Sequence, residues 1–182
     1  MAPLVIWTVG HSTHPMDALI ALLRAERIEV LADVRSQPYS RRNPQFRREN
    51  LKASLEEAGL RYVFLGAELG GRPPEREFRD ATGHVRYDLV RGTERFQAGL
   101  ERLLTGAVSY RVVVMCSEED PARCHRRLLV TPALVERGVD VRHIRGDGSV
   151  VGEREFGQRG PGGTQRGPEG TQPPLFGSEL EA

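Results

Sequence analysis

Five short apolar runs, each separated from the next by a stretch of helical periodicity, limit what this chain can fold into more than any other feature. The runs are LVIWTV (4–9), EVLADV (29–34), RYVFL (61–65), RVVVMC (111–116) and VDVRHI (139–144). They are rich in Val, Ile and aromatic residues and too short for buried helices, so they read as buried strands. Between them, MDALIALLRAER places Ala18, Leu19, Leu22 and Leu23 on one face, and ERFQAGLERLL does the same with Phe96, Leu100, Leu103 and Leu104. Asn50 to Ala58 reads as a further helix closed by Gly59, and PARCHRRLLVTPALVERG as another, with Pro132 kinking or splitting it. Strands alternating with helices predict one α/β domain with a mostly parallel sheet of about five strands flanked by helices.

Composition changes near Val150. Beyond it, GEREFGQRGPGGTQRGPEGTQPP offers little to bury, so the expected layout is an α/β domain over 1–150, a flexible Gly/Pro/Arg-rich linker over 151–171 and a terminal peptide over 172–182. The whole chain of 182 residues is 38% hydrophobic and 28% charged, a globular composition, with a net charge of +1 that says little about partners. No apolar run approaches the ~20 residues of a membrane span, so no membrane association is expected. The apolar start has no basic lead and no small-residue cleavage site and reads as a strand, not a signal peptide. Two cysteines without a leader suggest the reducing cytoplasm and argue against a structural disulfide.

In an open parallel sheet, ligands bind outside the carboxyl ends of the strands. Each predicted strand here runs into residues that chemistry can use. His11 and Ser12 follow the first; Asp33, Arg35 and a loop with Tyr39, Ser40, Arg41 and Arg42 follow the second. Gly66 to Gly71, including Gly70, follow the third; Cys116, Glu118, Cys124, His125 and Arg126 follow the fourth. Parallel strands would gather these groups on one rim.

The stretch MCSEEDPARCHRR (115–127) has four readings. Its cysteines are small buried hydrophobes; or Cys116 or Cys124, with His11 or His125 as acid/base and Arg126 against negative charge, form a catalytic or anion-binding site; or Cys116, Cys124 and His125 or His11 bind zinc; or the two thiols are a redox pair. Asp120 as N-cap and Pro121 in the first turn would put Cys124 and His125 at the positive end of a helix, where a thiol ionises more easily. The spacing is not a familiar zinc motif, so no metal and no cofactor is assigned. From Arg35 to Lys52 there are six basic residues and one acid, Glu49. Interleaved with Tyr39, Phe46, Pro38 and Pro44, these suit a phosphate-bearing ligand, although a charge run is also an ordinary solvated surface.

TVGHS, DVRSQPYSRRNPQF, YVFLGAELGG and MCSEEDPARCHRRLL, in that order over most of residues 5–145, resemble the bacterial and archaeal family known as domain of unknown function 488. The resemblance implies a single α/β domain. It also implies that Gly10, His11, Ser12, Asp33, Arg35, Pro38, Ser40, Gly66, Leu69, Gly70, Cys116, Glu118, Cys124, His125 and Arg126 are motif positions. It assigns no activity. In the tail, Gln172, Leu175 and Phe176 are spaced like the short peptide with which bacterial repair and replication proteins dock on the DNA sliding clamp. The expectation from the residues is an enzyme acting on nucleic acid, a nucleotide or another phosphate-bearing substrate. The alternatives are a non-catalytic nucleic-acid-binding module tethered to replication or repair, and a redox or zinc-binding sensor.

Overall fold

The computed structural model describes residues 3–158. The clamp-like peptide at Gln172, Leu175 and Phe176 lies outside the described residues, as does most of the expected linker. Six strands form one sheet in the order β3-β2-β4-β1-β5-β6. They are β1 (Val5–Gly10), β2 (Val30–Asp33), β3 (Arg61–Phe64), β4 (Val112–Cys116), β5 (Asp140–Ile144) and β6 (Val150–Gly152). The first five are parallel, as the alternation with helices requires; β6 pairs antiparallel with β5. The helices are α1 (Met16–Ala25), α2 (Arg48–Glu57), α3 (Gly66–Leu69), α4 (Tyr87–Arg91), α5 (Glu94–Ser109), α6 (Thr131–Glu136) and α7 (Glu153–Gln158). No helix among the described residues is long and apolar enough to cross a membrane.

Strand residues alternate between two cores because successive side chains point to opposite faces. Trp7, Val9, Leu31, Val113 and Met115 meet Leu19 and Leu23 of α1 and Leu51 and Leu55 of α2. Ile6, Val30, Ala32, Val112, Val114 and Cys116 meet Phe96 and Leu100 of α5 and Leu134 of α6. This arrangement positions the site. The connections after β1 and β2 run to helices on one face, whereas the connection after β4, which lies between them, runs to α6 on the other. Chains leaving neighbouring strands for opposite faces open a crevice at the carboxyl ends, the topological switch point of such sheets.

Two expectations need correction. The chain does not turn into linker at 151: β6 and α7 occupy 150–158. The carboxylate of Glu153 accepts from Arg127 Nε and Nη2 at 3.0 and 2.9 Å and lies 2.7 Å from His143 Nε2, while Phe156 packs under the Arg127 guanidinium. Composition could not show this, because the segment is held by partners distant in sequence. Over 121–136, where a helix kinked or split at Pro132 is expected, the interruption comes earlier, at Cys124. A 3-10 turn (Pro121–Arg123) is followed by Cys124 in extended conformation, then a π-helical turn (Arg126–Val130), then α6, with Pro132 in its first turn. Asp120 does cap, its carboxylate accepting from Ala122 N at 3.0 Å, but it caps the short turn.

Candidate functional site

β1 and β4 continue their pairing past the sheet, with His11 N donating to Cys116 O and Ser12 N to Ser117 O, both at 2.9 Å. This holds the loops after the two strands together. Gly10 is required there, because any Cβ would overlap the Glu118 backbone. Arg126 is fully buried and its guanidinium donates to the carbonyls of Glu118 and Glu119, the latter at 2.6 Å, and to Thr8 Oγ1 at 3.4 Å. Its donors are thus committed to the loop that carries Glu118, whose own side chain is exposed. What Arg126 offers the site is its positive charge beside Cys116.

His11, Asp33 and Arg35 form a second buried unit. Arg35 Nε and Nη2 bind the two Asp33 oxygens at 2.9 and 2.7 Å, Arg35 Nη1 donates to Phe46 O at 2.9 Å, and Tyr62 OH donates to Asp33 at 2.8 Å. Arg35 Nη1 lies 3.2 Å from His11 Nε2, so that nitrogen is the acceptor and Nδ1–H donates to Ser12 O at 2.8 Å. Burial, with Arg35 adding to it, pushes His11 down to about 4 against the pull of the Ser12 hydrogen bond, and its ring stacks on Phe46. Both ring nitrogens are occupied, and His11 is a neutral strut. Asp33 and Arg35, expected to touch substrate, spend their polar atoms on each other, on Tyr62, on His11 and on Phe46 O.

The remaining groups do form a centre. Cys116 ends β4 facing the α5–α6 core; Cys124 comes beside it because the helix is interrupted there. The Sγ atoms of Cys116 and Cys124 and a ring nitrogen of His125 all lie within 4.8 Å of one another. His125 Nδ1 is 3.4 Å from Cys116 Sγ, and Nε2 is 3.0 Å from Val34 O. The carbonyl can only accept, so Nε2 carries a hydrogen and, in the neutral ring, Nδ1 presents a lone pair to the sulfurs. Gly71 packs flat against that ring, where a Cβ would come within 2.5 Å of His125 Cβ and Cγ.

The two thiols are pushed apart. The Cys124 S–H, then the backbone N–H groups of Ser117 and Glu118 and the charge of Arg126, hold Cys116 below the usual thiol range against the cost of burial. The hydrogen bond to Cys116 and burial push Cys124 up to about 12. Cys116 is therefore the more acidic thiol of the pair and Cys124 its donor. Tyr87 of α4 lies near both; burial, then negative charge on the two sulfurs, raises its phenol. The helix-terminus argument for Cys124 fails, because Cys124 precedes the helix in extended conformation.

The other expected ligands are distributed as follows. Ser12 is half-buried with φ +45°. Ser40 Oγ accepts from Asn43 N at 3.0 Å and its carbonyl from Arg47, within the loop. Gly70 is a contact glycine, packed against Ser36. Tyr39 is 62% exposed, with the Arg47 guanidinium 4.7 Å from its ring centroid. Arg41, Arg42, Arg72 and Arg123 are exposed, and none pairs with a carboxylate among the described residues. Arg72 follows Gly71, with its N donating to Ser36 Oγ at 2.9 Å, and Arg123 precedes Cys124. Sequence reasoning placed Gly71 on the rim without a role and missed Val34 O, Tyr87 and Tyr62. A backbone acceptor carries no residue signal, Tyr87 stands in no motif, and Tyr62 opens YVFLGAELGG but points to no chemistry by its position there.

A family model described as domain of unknown function DUF488 matches residues 15–132. No curated protein and no solved structure matches the chain.

Proposed function

The chain belongs to the domain of unknown function DUF488 family, and from its switch-point geometry we propose an enzyme that acts on nucleic acid or another phosphate-bearing substrate with Cys116 as nucleophile. One observation carries this reading: Cys116 Sγ, His125 Nδ1, His125 Nε2 and Val34 O form a hydrogen-bonded chain with steps of 3.4 and 3.0 Å. Nucleophile, base and orienting acceptor are the recurring parts of covalent catalysis. His125 takes the Cys116 proton at Nδ1. The thiolate, supported by the Cys124 S–H and the backbone N–H groups of Ser117 and Glu118, attacks the electrophilic atom. The imidazolium then returns the proton to the leaving group. Arg72 and Arg123, one residue from groups of the centre, and Arg41 and Arg42 on the adjoining loop supply forks for phosphate oxygens. The clamp-like peptide at Gln172, Leu175 and Phe176 would bring this activity to DNA.

Alkylation with a small haloacetamide, followed peptide by peptide against pH, tests the reading. Cys116 is expected to react ahead of Cys124 at neutral pH, and His125→Asn to move its midpoint upward. Two thiols titrating together like free cysteine would end the proposal. A second reading, a non-catalytic nucleic-acid-binding module, is favoured by one contrast: Tyr39 is 62% exposed, while Cys116 and Cys124 are 7% and 2% exposed. It predicts salt-dependent binding of single-stranded DNA that survives Cys116→Ser with Cys124→Ser and weakens in Arg41→Ala with Arg42→Ala.

A further inference from the structure

We propose that Cys116 Sγ, Cys124 Sγ and His125 Nδ1 also form a three-ligand site for a thiophilic divalent cation of the zinc class, with the fourth position open. The proposal uses the same side chains as the function above but does not depend on the reaction proposed there. At ordinary Zn–S and Zn–N lengths, neighbouring ligands of a tetrahedral zinc stand about 3.5–3.8 Å apart. Here one S···N edge is already 3.4 Å and the three ligand atoms lie within 4.8 Å of one another, so closing on a cation needs a contraction of at most about 1.3 Å.

Three further features fit a cation. The Nε2–H to Val34 O hydrogen bond leaves Nδ1 bare and fixes the ring, as the outer partner of a metal-bound histidine does. Two sulfurs and one imidazole are soft donors that choose zinc over magnesium or calcium. The interruption of the helix at Cys124, extended at φ −113° and ψ 140°, brings two consecutive side chains to one centre. Successive positions of a continuous helix would diverge by about 100°. Binding exchanges the two thiol protons for one doubly charged ion, leaving the ligand set neutral; the protons go to solvent. Because the cation takes the Cys116 electron pair that would attack substrate, loading is a reversible cap on the thiol chemistry.

Cobalt(II) added to the reduced, chelator-treated full chain tests the site without any variant. One equivalent should give a thiolate-to-cobalt charge-transfer band and tetrahedral ligand-field bands, and one equivalent of zinc should bleach both. Cys116→Ser and Cys124→Ser should each remove the charge-transfer intensity of their sulfur, and His125→Asn should weaken zinc binding at least tenfold. Zinc should also protect Cys116 from alkylation. No charge-transfer band in the wild-type chain, or a band that persists in the double serine variant, would overturn the cation site. Alkylation of the metal-free protein reports separately on the nucleophile, so either idea can fail while the other stands.

Discussion

Replacing Asp33 with Asn decides whether Arg35 is a structural clasp or a substrate ligand held in reserve. Asp33 is 0% and Arg35 4% exposed. The carboxylate accepts from Arg35 N at 3.1 Å, Arg35 Nε at 2.9 Å, Arg35 Nη2 at 2.7 Å and Tyr62 OH at 2.8 Å. An amide keeps one acceptor oxygen but turns an NH2 toward donors on the other side, and it leaves the guanidinium uncompensated. Removing one partner of a buried pair costs about 3–5 kcal/mol. With a urea slope of about 2 kcal/mol per molar, the unfolding midpoint should fall by about 2 M. Asp33→Leu combined with Arg35→Met removes both charges. It still strips a donor from Phe46 O and His11 Nε2, at about 1 kcal/mol each, so the double variant should lie well above the single one. Urea denaturation followed by circular dichroism measures all three proteins. A loss below about 1 kcal/mol in Asp33→Asn, or a double variant as unstable as the single, would refute the clasp.

Other perturbations are equally specific. His11 is neutral in the fold, at about 4 against 6.5 when free, so its contribution is complete above pH 6.5 and is lost as pH falls toward 4; about 3 kcal/mol should go in that window, and His11→Asn should flatten that part of a stability–pH curve. Gly71→Ala would place a Cβ within 2.5 Å of the His125 ring, so the melting temperature should drop by a few degrees and Cys116 alkylation should slow at neutral pH, both read on one sample. Arg126→Lys keeps the charge but cannot span the Glu118 and Glu119 carbonyls; a loss of about 2–3 kcal/mol in urea denaturation is expected.

The strands were legible because burial on both faces writes itself as continuous apolar runs, and alternation with helices leaves few topologies besides a parallel sheet. Sequence therefore determined the five parallel strands to within a residue or two, the helices α1, α2 and α5, and the rim on which His11 and Arg35 follow their strands and Cys116 ends its own. Gly59 and Gly138, at φ +79° and +77°, were readable as stops because left-handed backbone selects glycine. Which rim residues remain free for chemistry was decided only by the tertiary structure. Arg35, Arg126 and His11 carry the same functional groups as catalytic residues, but Asp33, the Glu118 and Glu119 carbonyls and Ser12 O consume them. The pairing of Cys116 with His125 depends on a carbonyl at Val34, 91 positions away, and on a helix that breaks at Cys124. Local sequence reports preference and periodicity; it does not report which distant polar atom will satisfy a side chain once water has been removed.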